Sequence, residues 1–202
     1  AGKVNGQLLD ACDLIESDAT LQIITPKDQE GVEIIRHSCA HLLGHAIKQL
    51  WPDTKMAIGP VIENGFYYDV DLGEETISDK DFKKIEDKML EFARQKFEFN
   101  MRSASKAEAL EMYKNNEFKT ELITNLEDGT ITFCDHADFT DLCRGGHIPN
   151  TGFIKATKVM SVAGAYWRGD EKNKHLTRVY GITSPQASFL TEYLELLEEA
   201  KK

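Results

Sequence analysis

Three histidines, His37, His41 and His45, recur every four residues, and at 3.6 residues per turn that spacing stacks them along one stripe of a helix. A second pair, Cys143 and His147, lies four apart across Gly145 and Gly146, on a loop, because two adjacent glycines would not sustain a helix. One histidine on an apolar helix face is ordinarily a satisfied core residue. Three on a stripe are harder to absorb, since an imidazole buried without a partner loses its solvation. His37, His41, Cys143 and His147 together offer three imidazoles and one thiol, the donor types zinc prefers. A cysteine nucleophile activated by histidine is the other general option, although nothing in the spacing argues for a covalent intermediate over attacking water.

The stripe needs a helix over residues 34–50, with Leu42, Leu43, Ala46, Ile47 and Leu50 packing beside it. Trp51-Pro52-Asp53 ends it, because proline lacks the N–H and disfavours a helical residue before it. This helix is expected to form one wall of a reaction site. Ahead of it, Asn5-Gly6 is a hairpin signal, residues 21–24 read as a strand, and Pro26 marks a boundary. Behind it, residues 55–58 and 66–70 read as strands, the second with one face toward the core. Ser78 with Asp81 resembles a capping box before a helix bearing Phe82, Ile85, Met89 and Phe92 at spacings of three and four. Residues 97–101 alternate as a strand, Ser105 starts a third helix, and residues 118–122 and 130–133 read as strands. Ser184 as cap and Pro185 in first position open a last helix running to residue 202. His45 reads as a supporting residue, and Asp69 and Arg168 as surface charges.

With 202 residues and 41% hydrophobic content, the chain can bury a full core. No apolar run approaches the roughly 18 residues of a membrane span, and the first residues show no signal-peptide pattern. Cys12, Cys39, Cys134 and Cys143 form no regular framework, which favours a reducing compartment; a cytoplasmic protein is expected. The net charge of −10 argues against a general grip on nucleic acid. The charge is uneven, however. Between residues 144 and 180, Arg144, Lys155, Lys158, Arg168, Lys172, Lys174 and Arg178 face only Asp170 and Glu171, a local +5. Such a surface suits holding one end of a nucleic acid; an ordinary mixed surface would carry the same count.

His37-Ser38-Cys39-Ala40-His41, Gly65-Phe66-Tyr67-Tyr68-Asp69, Asp141-Leu142-Cys143-Arg144-Gly145-Gly146-His147 and Ala163-Gly164-Ala165-Tyr166-Trp167-Arg168-Gly169-Asp170 together resemble the N-terminal region of the bacterial threonyl-tRNA synthetase family. Asn173-Lys174-His175-Leu176-Thr177-Arg178-Val179-Tyr180-Gly181 continues the likeness. The resemblance implies a partial TGS-like (β-grasp) module over residues 1–26, an editing domain over 27–183, and a linker helix over 184–202 toward an aminoacylation domain. No part resembles that domain or the anticodon-binding domain, so the chain is expected to be a fragment that does not activate threonine. The expected fold is α+β, a mostly antiparallel sheet packed on the long histidine-bearing helix, with the site in the cleft between them.

The implied activity is hydrolysis of the ester of Ser-tRNA(Thr), sparing Thr-tRNA(Thr). By the same resemblance, His37 and Lys119 activate water and move protons, while His41, Asp141, Cys143 and His147 shape the pocket and hold the seryl group. Tyr68 and the backbone at Gly59 are expected pocket walls. No metal or other cofactor is expected for editing. The related alanyl editing domains bind zinc with the same two pairs, so His37, His41, Cys143 and His147 would be the ligands of a zinc-dependent alternative. Gly146 stands where many relatives carry proline, which loosens the backbone before His147. The expected partners are the serine-bearing acceptor end of tRNA(Thr) and the aminoacylation and anticodon-binding domains of a synthetase that dimerises at full length; no membrane is expected. A module that holds the acceptor end without chemistry is the remaining alternative.

Overall fold

The computed structural model describes residues 1–202. It is an α+β fold whose strand pairings are all antiparallel. Three short strands, β1 (Gly2–Val4), β2 (Gln7–Leu9) and β3 (Leu21–Ile23), form a sheet in the order β2-β1-β3. The β1–β2 turn is the Asn5-Gly6 pair, with φ of 50° and 82°, the backbone that a two-residue hairpin demands.

The chain then enters α1 (Gln29–Leu50). It starts five residues earlier than the histidine stripe requires. Asp28 ties the preceding turn, its carboxylate accepting from the Thr25 amide and hydroxyl. Leu42, Leu43, Ala46 and Ile47 are fully buried, so α1 is the centre of the core rather than a surface helix. Trp51, before Pro52, has non-helical φ/ψ of −129° and 83°, the stop expected of a pre-proline residue.

A second sheet takes the order β10-β11-β6-β4, from β4 (Lys55–Met56), β6 (Gly65–Asp71), β10 (Ala156–Tyr166) and β11 (His175–Ser184), with β5 (Val61–Ile62) paired to β6. Phe66, Tyr68 and Val70 alternate inward with Val159 and Val179 into the same core cluster as α1. Helix α2 (Phe82–Gln95) closes that core with Ile85, Met89 and Phe92, entered through a short 3-10 turn that the Ser78–Asp81 capping box holds. A third sheet, β7 (Asn100–Ser103), β8 (Thr132–His136) and β9 (Phe139–Leu142) in sequence order, carries α3 (Lys106–Met112) and α4 (Glu117–Thr124) between its first two strands. The last helix is α5 (Ala187–Glu199).

Four expectations need correction. Residues 118–122 are helical, not a strand. The Asn116 side-chain oxygen accepts from the Phe118 and Lys119 amides, capping α4, and Phe118 and Ile123 bury one face of it. The last helix does not start at Ser184, because Ser184 still pairs with Ala156 in the β10–β11 ladder. Asp69 is no surface charge: it is 2% exposed and accepts two hydrogen bonds from Arg178, at 2.8 and 2.9 Å. The strand expected over 97–101 begins only at Asn100, with Glu98 making an isolated bridge to Asn150. No helix is long and apolar enough to cross a membrane.

Candidate functional site

Helix α1 presents His37 and His41 one turn apart, with ring centroids 4.8 Å apart and nearly perpendicular. Opposite them, the chain leaves β9 into the loop that carries Cys143 and His147. Gly145 and Gly146 adopt φ of 104° and 90°, a left-handed backbone that side chains resist. That reversal turns both Cys143 and His147 inward. His37 Nε2 lies 3.0 Å from Cys143 Sγ, Cys143 Sγ 3.4 Å from His147 Nε2, His147 Nε2 3.1 Å from His41 Nε2, and His41 Nε2 3.3 Å from His37 Nε2. The sequence-predicted quartet is therefore one closed ring of contacts.

Carboxylates back this ring on both sides. Asp141, buried on β9, has one oxygen 3.4 Å from His41 Nδ1 and accepts the Tyr68 hydroxyl at 2.6 Å on that same oxygen. Its other oxygen takes the Lys119 ammonium at 2.5 Å. Gly59 belongs to the wall behind Tyr68, since a Cβ there would stand 2.4 Å from the tyrosine ring. On the far side is a residue that sequence reasoning missed. Asp10, just beyond β2, accepts from the Gly146 and His147 amides at 3.1 and 2.5 Å and sits 2.9 Å from His147 Nδ1. Nothing in the local sequence around Asp10 signals a contact 137 residues away.

Burial alone would push the Cys143 thiol up; bonds to His147, His37 and His41 outweigh it and bring the thiol far below its usual value. Burial likewise works against a charged His41, but Asp141 and the thiolate raise it. His147 is raised in the same way by Asp10 and Cys143 against the cost of burial. His37 differs: desolvation lowers it, so its imidazole is the neutral one, able to accept a proton. It is also the only partly exposed member of the quartet.

His45, next on the stripe, belongs to a different group. Its Nδ1 is 3.1 Å from His136 Nε2 and its Nε2 2.8 Å from Asp138 Oδ1, with Phe92 stacked on its ring at 3.9 Å. Phe99 stacks on His147 and tilts against His136, separating the two clusters.

Two cavities reach the reactive groups. A groove of about 870 Å³ ends at His37 and Cys143 and is walled by Leu122, Leu126, Leu142 and Thr132. Another, of about 630 Å³, reaches Lys119 together with Tyr113, Asn116 and Thr140. Lys119 thus approaches from its own side, bonded to Asp141, and does not line the groove that holds His37.

The quartet also fits zinc. Its donor atoms all lie within 4.8 Å of one another, and the four contacts above, from 3.0 to 3.4 Å, approach the roughly 3.3–3.6 Å edges of a tetrahedron with ordinary Zn–N and Zn–S bonds. Asp141 behind His41 and Asp10 behind His147 are the carboxylate partners that metal-bound histidines commonly have.

Residues 131–180 match the family described as threonyl and alanyl tRNA synthetase second additional domain (tRNA_SAD). The chain is 63% identical over 198 residues to the threonine-tRNA ligase of Flavobacterium johnsoniae, covering 98% of this chain and 31% of that protein. It is 54% identical to the threonine-tRNA ligase of Cytophaga hutchinsonii and 53% identical to that of Parabacteroides distasonis, each over 204 residues, covering 100% of this chain and 32% and 31% of those proteins. The chain therefore spans about a third of the length of the curated relatives it matches. These likenesses bear out the resemblance carried by the motifs.

Proposed function

From this likeness to a third of the threonine-tRNA ligases, which includes the tRNA_SAD match, we propose that the chain is an editing hydrolase that cleaves the ester of Ser-tRNA(Thr) and spares Thr-tRNA(Thr). The observation that carries the proposal is the convergence of His37, His41, Cys143 and His147, backed by the Lys119–Asp141 pair, with His37 and Cys143 open to a groove. Residues 1–26 would then be part of a β-grasp-like module, residues 27–183 the editing domain, and the remainder a link to an aminoacylation domain.

Serine is threonine without one methyl, and a missing methyl is worth only about 1–3 kcal/mol of discrimination in a pocket. A synthetic site that demands the hydroxyl admits both, so a second pocket that refuses the methyl supplies the remaining selectivity. Tyr68 is suited to that refusal, being held by Asp141 at its hydroxyl and crowded by Gly59 at its ring. Ester cleavage needs water positioned, its proton removed and the oxyanion stabilised. His37, neutral and open to the groove, takes the water proton. Lys119 supplies positive charge from behind Asp141, and its part in proton transfer near the ribose runs through that carboxylate. The Cys143 thiolate and Asp141 hold the seryl amine and hydroxyl, and His41 and His147 fix those anions in place.

This reaction requires no metal. A second reading is favoured by the donor set, four of whose six separations approach tetrahedral edges, and by the two backing carboxylates. In it, His37, His41, Cys143 and His147 hold zinc, which would polarise the attacking water. Deacylation of Ser-tRNA(Thr) and Thr-tRNA(Thr) by metal-depleted protein, with and without a strong chelator, separates the readings. Fast loss of serine, slow loss of threonine and indifference to chelator is the expected result. Serine release that chelator abolishes and zinc restores moves the mechanism to the metal. Acceptor-end binding without release of either amino acid leaves a binding module and removes the hydrolase.

A further inference from the structure

The basic stretch between residues 144 and 180 does not survive folding as a basic surface. Lys158 pairs with Glu86 at 3.3 Å, Arg168 with Glu121 at 2.8 Å, Lys174 with Asp71 at 2.5 Å, and Arg178 with Asp69. Three cations are left without a carboxylate: Arg144, Lys155 and Lys172. Lys155 borders a separate cavity beside Arg94 and Lys96, and Lys172 sits in the turn between β10 and β11. Arg144 alone lines the groove that ends at His37 and Cys143.

Its position follows from the loop. Cys143 and His147 turn inward, and Arg144, exposed between Cys143 and the left-handed Gly145, stands at the groove rim. Besides the Cys143 thiolate at its end, the groove has a single acid, Glu127, and its remaining walls other than Arg144 are apolar or neutral. A terminal nucleoside whose ribose ester lies at His37 fills such a groove, and its 5′ phosphate then falls nearest the rim. On an acidic protein an unpaired guanidinium at that rim is the group that matches a phosphodiester, which it grips through two parallel N–H donors.

We propose that Arg144 binds the last internucleotide phosphate of the acceptor end, anchoring the terminal nucleotide while the ester is presented to His37. The proposal rests on the editing reading, and its test keeps the two apart. The probes are seryl-adenosine, a ribose ester with no phosphate, and seryl-CpA, which carries that one phosphate. Replacing Arg144 by Ala is expected to lower the ratio of kcat/KM for seryl-CpA to that for seryl-adenosine about tenfold. The loss should fall on KM and be partly restored by Arg144→Lys. The log–log salt dependence of CpA binding should weaken by about 0.7, the share of one phosphate on a single strand. An unchanged ratio and salt slope in Arg144→Ala, with the variant folded by its Tm, overturns the proposal. If the unaltered chain hydrolyses neither ester, the editing reading fails. Binding of unesterified CpA against adenosine then decides Arg144 by itself: a phosphate preference that Arg144→Ala removes supports it, and no preference overturns it.

Discussion

Helix α1 feeds two histidine clusters, His37 and His41 into one, His45 into the other, from positions four residues apart on the same stripe. Both clusters are hydrogen-bonded, both contain a carboxylate, and Phe99 touches both. They differ in what surrounds the rings. The first has a thiol at its centre, carboxylates behind two imidazoles, and a groove leading to His37. The second is packed between Phe92 and Phe139, its carboxylate Asp138 faces solvent, and His136 Nδ1 is buried without a partner. Spacing makes a histidine cluster; opposed charges and an open approach make it reactive.

The largest expected effect tests that distinction directly. Replacing His37 by Ala should slow seryl ester hydrolysis roughly 10²–10⁴-fold, the usual contribution of a positioned general base, with little change in Tm. Replacing His45 by Ala should do the reverse, leaving kcat within a few-fold and costing about 2–3 kcal/mol in denaturant unfolding through lost buried hydrogen bonds and packing. A His45 variant as inactive as the His37 one would merge the clusters into one machine.

Gly59→Ala is an intermediate case. The new methyl would press on Tyr68 from 2.4 Å, and overpacking of this kind costs about 1–3 kcal/mol. Because Tyr68 is bonded to Asp141, the first cluster should register it as altered discrimination between seryl and threonyl esters. The ratio of the two deacylation rates measures this, and an unaltered ratio removes Tyr68 and Gly59 from the pocket wall.

The smallest effect is a pH dependence of stability. Burial lowers both His45 and His136, against the pull of Asp138 on His45, with Lys88 pushing His45 and His41 pushing His136 in the same downward sense. Their folded forms bind fewer protons than the unfolded chain. The stability they give is present above the ordinary imidazole value of about 6.5 and is lost as pH falls below it. The raised His41 and His147 act in the opposite sense over the same window, so the test is a difference: between pH 7 and 5, Tm of His136→Phe should fall less, or rise more, than that of the unaltered chain. An equal slope in that variant would remove His136 from the effect and leave it to His45 and His37, whose lowering has the same sign.

What was legible in the sequence was local. The four-residue stripe, the Ser78–Asp81 capping box and the Asn5-Gly6 turn each need only neighbours in the chain. Residues 118–122 misled because their aromatic and aliphatic side chains resemble a strand, while the deciding signal was the Asn116 cap. The basic stretch misled because its neutralising partners, Glu86, Glu121, Asp69 and Asp71, come from other elements. Ala156–Tyr166 and His175–Ser184, the longest strands, were visible only as motifs, since glycines and charges interrupt their alternation. In the site, residue types and spacing pointed to His37, His41, Cys143 and His147. Lys119 and Asp141 came from family likeness, and Asp10 from neither.

The grip of Asp10 on the His147 loop also has a temporal side. The two residues are 137 positions apart, so their contact closes a loop as long as most of the chain and forms only after that loop's entropy has been overcome. Synthesis runs from the N-terminus, which leaves Asp10 without its partner until three-quarters of this chain has been made. The histidine helix can fold early from neighbouring contacts. The centre it serves is completed late, and a chain halted before residue 147 holds the wall of the site without its floor.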